Sequence, residues 1–314
     1  MKRVTILFII SLVFSMSCST SRFYDLPTAE FEDFDYGYKT KYFQIKNIKV
    51  AAIDEGSSDN LVILIHGLGS NAKGWIKNIP ELAKKHRVIA LDLPGYGKSQ
   101  KGHFQFTMDF YADIIKLLSE KVSHKSLTLV GHSMGGQIAI TTALNYPKLV
   151  SNLVLISPAG IETFTEGEAA WFKKVVTPDL IKDTPIRSID VNLKSNFYEY
   201  PEDAEFMITE RIQMRRADGF DLYCYAVAEN VAAMVDGPVY ERLDEIKQPT
   251  LILFGENDQL IPNPYLHGGF TKDIAEIAES EITDSELIVI PECGHFVQFE
   301  KAERVNKAIV EFLN

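Results

Sequence analysis

Short unbroken apolar runs alternate with amphipathic stretches along most of this chain. Leu61-Val62-Ile63-Leu64-Ile65, Val88-Ile89-Ala90-Leu91, Leu127-Thr128-Leu129-Val130, Leu153-Val154-Leu155-Ile156, Thr250-Leu251-Ile252-Leu253-Phe254 and Leu287-Ile288-Val289-Ile290 are too short for helices. They predict strands, and those over Leu61–Ile65 and Leu127–Val130, without the polar alternation of a strand with one wet face, predict burial on both sides. Between them, helical spacing predicts helices over Ile76–Lys85, Thr107–Lys121 with Thr107 as N-cap, Gly136–Asn145 closed by Tyr146-Pro147, Thr271–Ser280 and Ala302–Leu313. Two alternating segments, Tyr42–Ile48 and Lys49–Ile53, read as an antiparallel edge. A β-α-β-α rhythm of this kind makes an α/β protein with a mainly parallel sheet covered by helices.

The rhythm breaks over residues 161–244, where helical patterns, aromatic side chains and Pro178, Pro185 and Pro201 replace clear strands. This segment reads as an insertion. It divides a core into residues 38–160 and 245–314, with the inserted part a helical cap. Most of its apolar side chains, among them Phe164, Trp171, Phe172 and Met234, are expected to pack cap on core, leaving the rest to line an apolar pocket. Arg211, Arg215 and Arg216 read as a solvated helix face. Residues 18–37, acidic and aromatic without a period, fit either a tether or a wrap over the core.

Composition narrows the class. With 314 residues, 46% hydrophobic, 24% charged and a net charge of −11, the chain is globular and has no dense basic run, which argues against a nucleic-acid partner. Lys2 and Arg3, the eleven-residue apolar run Val4–Phe14 and then Ser15-Met16-Ser17-Cys18 follow the grammar of an export signal. The run is too short to span a bilayer as a helix. Small residues followed by Cys18 resemble a bacterial lipoprotein signal, which implies removal of residues 1–17 and a lipid on Cys18. Ser15 departs from that pattern, where Leu is commonest, and ordinary cleavage near Ser17 is the alternative. Ser19 resembles the sorting pattern of the outer membrane. Loss of Lys2 and Arg3 takes the net charge from −11 to −13, so a lipid rather than charge would hold the protein to a membrane. Cys224 and Cys293 then remain, and two isolated cysteines are expected to be buried thiols.

Ligands of parallel α/β sheets meet the carboxyl ends of the strands, so the residues just after each apolar run are candidate chemistry. After Val130 comes Gly131-His132-Ser133-Met134-Gly135; after Phe254, Gly255-Glu256-Asn257-Asp258; after Ile290, Cys293-Gly294-His295. Ser133 sits between glycines on a strand-to-helix turn, the setting of an exposed nucleophile. A serine hydroxyl needs a base, and an imidazole base needs a carboxylate to fix its tautomer. His295 and Asp258 supply these. Glu162 competes with Asp258 as the acid, and Glu256 is expected to face elsewhere. His66 and His132 read as residues that hold loops, and Cys293 as a bystander thiol. After the run ending at Ile65, His66-Gly67-Leu68-Gly69 can aim a backbone N–H at the same point, so that Leu68 and Met134 N–H groups form an oxyanion hole. Gly97-Lys98-Ser99 is no phosphate loop, because position 92, where that motif needs Gly, is Asp. No His or Cys spacing suggests zinc, so no metal or cofactor is expected.

At these residues, together with Asp92-Leu93-Pro94-Gly95-Tyr96-Gly97-Lys98-Ser99, the chain resembles the alpha/beta-hydrolase family from about Tyr38 to Asn314, the insertion apart. The resemblance implies that fold with a mostly helical cap after the sixth strand, and a Ser133–His295–Asp258 triad. Ser133-Met134-Gly135-Gly136-Gln137 and Ser157-Pro158-Ala159-Gly160 look closest to membrane-associated monoacylglycerol lipases and related esterases. The expected activity is hydrolysis of small-molecule carboxylic esters with an apolar acyl group. Carbon–carbon bond hydrolysis of vinylogous diketones is the alternative within enzymes. A non-catalytic surface lipoprotein that binds an apolar ligand is the alternative of another class. The sequence leaves the oligomeric state open.

Overall fold

The computed structural model describes residues 23–314. Eight strands form one sheet in the order β1-β2-β4-β3-β5-β6-β7-β8: β1 (Thr40–Ile45), β2 (Ile48–Glu55), β3 (Asn60–Ile65), β4 (Arg87–Leu91), β5 (Ser126–His132), β6 (Asn152–Ile156), β7 (Thr250–Gly255) and β8 (Ser285–Ile290). β1 pairs with β2 and β2 with β4 antiparallel; every other pair is parallel. Leu61 to Ile65 and Leu127 to Val130 are fully buried, as strands covered on both faces must be.

Outside the cap the helices are α1 (Ile79–Leu82), α2 (Met108–Ser119), α3 (Met134–Asn145), then, after the cap, α9 (Thr271–Glu281), α10 (Val297–Glu300) and α11 (Ala302–Phe312). α3 packs on β3, β5 and β6, and α9 on β7 and β8. Thr107 caps α2, its hydroxyl accepting from Phe110 N–H at 2.9 Å. Between β6 and β7 lies the inserted cap, with α4 (Glu166–Val175), α5 (Pro178–Lys182), α6 (Ile186–Lys194), α7 (Glu205–Gln213) and α8 (Phe220–Asp236).

The helix expected over Ile76–Lys85 is instead a 3-10 turn, Ala72–Trp75, followed by the short α1. Pro80 has no N–H for a helix running through it and belongs at a helix start. Asn78, just before, is buried with its amide donating to Gln298 C=O at 3.0 Å and Asn306 Oδ1 at 2.8 Å, which fixes the break by tertiary contact. The N-terminal segment wraps the core: Phe31, Phe34 and Tyr36 are buried in it, and Phe23 is buried against the cap. Cys224 and Cys293 are both buried free thiols.

One buried carboxylate ties the wrap to two loops at the strand ends. Asp92, directly after β4, accepts from Ala72 N–H and Lys98 N–H, both at 2.7 Å, and from the Tyr36 hydroxyl at 3.0 Å. Burial pushes its carboxyl up, and the backbone donors of Ala72 and Lys98 oppose that. Gly97, at φ +46°, is required beside it, since a Cβ there would lie 2.3 Å from the carboxyl carbon of Asp92. Asp92→Asn keeps the shape but points an N–H₂ at donors. It is expected to cost about 1–3 kcal/mol, read as a fall in unfolding free energy by urea titration; an unchanged midpoint would contradict this.

Candidate active site

The sheet order puts a switch point at β3. The chain leaves β3 to one side for β4 and returns to its other side as β5, so the segments after β3 and β5 diverge and leave a crevice between them. Ser133 stands there, between β5 and α3, at φ 55° and ψ −121°. A residue with a side chain adopts that conformation only when its surroundings force it. Backbone contact does the forcing. A Cβ on Gly135 would lie 2.2 Å from Ile65 C=O, and one on Gly131 would lie 2.2 Å from Gly135 C=O. Ser133 N–H donates to Ile156 C=O at 2.9 Å, and its carbonyl accepts from Gly136 N–H at 2.8 Å and Ala159 N–H at 3.0 Å.

The Gly67-Leu68 turn lies against this elbow: a Cβ on Gly67 would come within 3.0 Å of Ser133 Cβ. Leu68, next to Gly67, borders the same cavity as Ser133, while Met134 follows Ser133 as the first residue of α3. The N-terminal end of α3 adds partial positive charge at the same point.

Asp258 and His295 come from the loops after β7 and β8. These loops touch so closely that a Cβ on Gly255 would lie 2.1 Å from Gly294 C=O. His295 Nδ1 donates to Asp258 Oδ2 at 2.7 Å, with both side chains out of solvent. Asp258 Oδ1 accepts from Leu260 N–H at 2.8 Å and Ile261 N–H at 3.2 Å, so the carboxylate is fixed before it fixes the imidazole. With its proton on Nδ1, a neutral His295 keeps a lone pair on Nε2, the form a base needs. Ser133, His295 and Asp258 all border one cavity of about 830 Å³. Among the described residues no hydrogen bond joins Ser133 to His295; such contacts commonly close only around substrate.

His66 and His132 hold loops. His66 donates through Nδ1 to Gly67 C=O at 2.8 Å and accepts from Leu93 N–H at 3.0 Å through Nε2; burial pulls it down to about 4. His132 donates through Nε2 to His295 C=O at 3.0 Å. Burial, with the neighbouring His295 next, lowers it well below the ordinary range, so it stays neutral beside the base. Burial pushes the Cys293 thiol up, which keeps it un-ionised.

Of the two candidate acids, Glu162 is not on His295: it accepts from His267 Nδ1 at 2.5 Å and Asn263 N–H at 2.7 Å. Glu256 borders the cavity and makes none of the bonds that hold His295. One expectation needs correction. Arg211 is not a solvated face: it is half-buried, its guanidinium lies over the Tyr223 ring and it donates to Gly69 C=O beside the Leu68 turn.

Two supports lie outside the sequence reading. Glu300 accepts from Gly294 N–H at 2.8 Å and from Glu199 N–H at 2.8 Å, tying the turn before His295 to the cap. His267, stacked on Phe164, bonds Glu162 and approaches Glu168 of α4 at 3.4 Å, joining the β7–α9 loop to the cap. Glu162 and Glu168 lie far before His267 in the sequence, so spacing gives no signal that they converge on one imidazole.

A family model described as the alpha/beta hydrolase fold matches residues 60–302. A 2-hydroxy-6-oxononadienedioate/2-hydroxy-6-oxononatrienedioate hydrolase of Escherichia coli O81 (strain ED1a) is 30% identical over 278 residues, which is 85% of this chain and 92% of that one. A probable hydrolytic enzyme of Pseudomonas aeruginosa PAO1 is 26% identical, with a TM-score of 0.81 over 92% of this chain and 99% of the other. A meta-cleavage product hydrolase from Pseudomonas fluorescens IP01 is 27% identical, with a TM-score of 0.72 over 87% and 97% of the two chains.

The hydrogen bond to Glu162, with the nearby Glu162 and Glu168 charges, raises His267 above its ordinary value. A raised value means that the contribution is full below the unfolded His value and fades as pH climbs through the folded one. His267→Gln should therefore lower Tm relative to the natural protein most near about pH 6, with the gap narrowing towards about pH 9. A gap that stays constant or widens with pH would contradict the ion pair.

Proposed function

The chain belongs to the alpha/beta-hydrolase family, and within it we propose that it is a serine hydrolase of carboxylic esters with an apolar acyl group. Ser133 Oγ attacks the ester carbonyl while His295 Nε2 takes its proton, and Asp258 stabilises the imidazolium that results. Leu68 and Met134 N–H groups receive the oxyanion. Collapse of the tetrahedral intermediate breaks the C–O bond, and His295 returns its proton to the departing alcohol. Water, deprotonated by the same imidazole, then releases the acid from Ser133. No metal or cofactor enters these steps.

The observation that carries the ester reading is the wall of the cavity. Phe164, Phe172, Val231, Met234 and Phe296 border it, and no Lys or Arg among the described residues does, whereas Glu162 and Glu256 do. An uncharged ester with an acyl chain suits such a wall. A dienedioate, the substrate class named for the E. coli relative, carries two carboxylates, and the one imidazole there outside the His295–Asp258 pair and His132, that of His267, is already bonded to Glu162.

Carbon–carbon hydrolysis is the second reading. Those relatives favour it, and so do Arg211 and Arg215, which line an adjoining cavity of about 280 Å³ that shares Leu68 and Phe296 with the main one. Export and a lipid on Cys18 belong to the same proposal; they rest on the first eighteen residues, outside the described part of the chain.

An ester series of rising acyl length, a monoacylglycerol, a lysophospholipid and a dienedioate vinylogous diketone separate the readings. Expected is turnover of medium and long acyl esters in preference to acetate, reduced about 10⁴-fold or more in Ser133→Ala. Turnover of the diketone with inert esters would replace this reading by the second.

A further inference from the structure

We propose that the apolar rim of the Ser133 cavity is a membrane-docking surface, seated on a phospholipid bilayer so that an acyl chain passes from lipid into the cavity without crossing water. The tether that holds the rim there is the lipid on Cys18, which rests on the reading above; the rim itself does not.

The residues at the mouth are apolar and lie in the open. Tyr265 is 88% exposed, Phe270 77% and Val191 55%, and all three border the cavity. Tyr265 and Phe270 stand on the β7–α9 loop, Val191 on α6. Large apolar side chains grouped on a surface around a pocket mark an interaction site, and aromatic residues suit the bilayer interface. Outside the His295–Asp258 pair, the charged groups that border the cavity are Glu162, Glu256 and His267, the last also approaching Glu168, while Lys173 of α4 is paired with Asp236 and Lys272, two residues after Phe270, with Glu276. This set does not attract anionic lipid, so the contact is apolar.

The start of the described chain brings a membrane within reach. Phe23 is 1% exposed, buried with Ile189 of α6 and Ile208 and Ile212 of α7, and Ile186 and Leu193 pack on the same cluster. α6 thus carries the docked N-terminal segment on one face. Its other face, with Val191 and Asn192, walls the cavity. A helix is about 10–12 Å across, and the five residues from Cys18 to Phe23 reach at most about 17 Å. A bilayer holding Cys18 therefore lies within about 17 Å of Phe23, across α6 from the cavity wall, and the rim offers it an exposed apolar surface.

Trp171 reports on the rim. It is 45% exposed and its ring lies 5.3 Å from Phe172, which meets Phe164 edge-on at 5.3 Å; Phe164 stacks on His267 of the rim loop. Trp75, the other tryptophan, is fully buried. With the full chain on phosphatidylcholine vesicles brominated along their acyl chains, Trp171 emission should be quenched, and high salt should not restore it. Tyr265→Asp with Phe270→Asp should abolish the quenching without lowering Tm, and the Ser pair at the same positions should do the same without added charge. Absent quenching in the natural protein, quenching that survives both double variants, or quenching lost in high salt would overturn the proposal. Hydrolysis of a soluble ester by the same samples reports separately on Ser133 chemistry, so failure of one reading is distinguishable from failure of the other.

Discussion

Backbone meeting backbone at the switch point between β3 and β5 is the constraint on which the site depends. Gly135 lies against the Ile65 carbonyl and Gly131 against that of Gly135, at separations no side chain can occupy. That contact allows the chain to turn from strand to helix in one residue and holds Ser133 at positive φ. It also brings the turn after β3 up to the elbow, so Ser133 and the Gly67-Leu68 turn arrive by the same packing. Enlarging either glycine would disturb both together.

His295 reaches the site by a second backbone contact of the same kind, Gly255 against the Gly294 carbonyl. Two loops from adjacent strands are thereby held in step, and Asp258 and His295 bond across them. Around this pair the protein removes competing charge: His132 and His66 are buried and stay neutral, and the Cys293 thiol is held protonated. The cap is fastened to these same loops, through Glu300 to the turn before His295 and through His267 to the loop after Asp258. The loops that carry Asp258 and His295 therefore also carry the roof of the cavity.

The sheet, and the meeting of Ser133, Asp258 and His295 at one cavity, were legible because both depend on local pattern: apolar runs of strand length, and polar residues immediately after them. The helix read over Ile76–Lys85 was not, because Asn78 is fixed by Gln298 and Asn306, more than two hundred residues away. Arg211 looked like one of three solvated cations, and only the fold places Tyr223 beneath it and Gly69 beside it. Glu162 was a competing acid in sequence because it follows β6; the structure gives it to His267. Pairings of this sort are set by the cap's position on the core, which spacing along the chain does not encode. The tether reading of residues 18–37 and the wrap reading were equal in sequence, and the burial of Phe31, Phe34 and Tyr36 decides for a wrap over the part described.

The central claim is that Ser133 is a nucleophile activated by His295. Incubation of the folded protein with a fluorophosphonate, followed by intact mass and peptide mapping, tests it most directly. One adduct per chain on Ser133, absent from Ser133→Ala, is the result this account predicts. A folded protein that takes up no label, or one labelled elsewhere with Ser133→Ala unaffected, would contradict it.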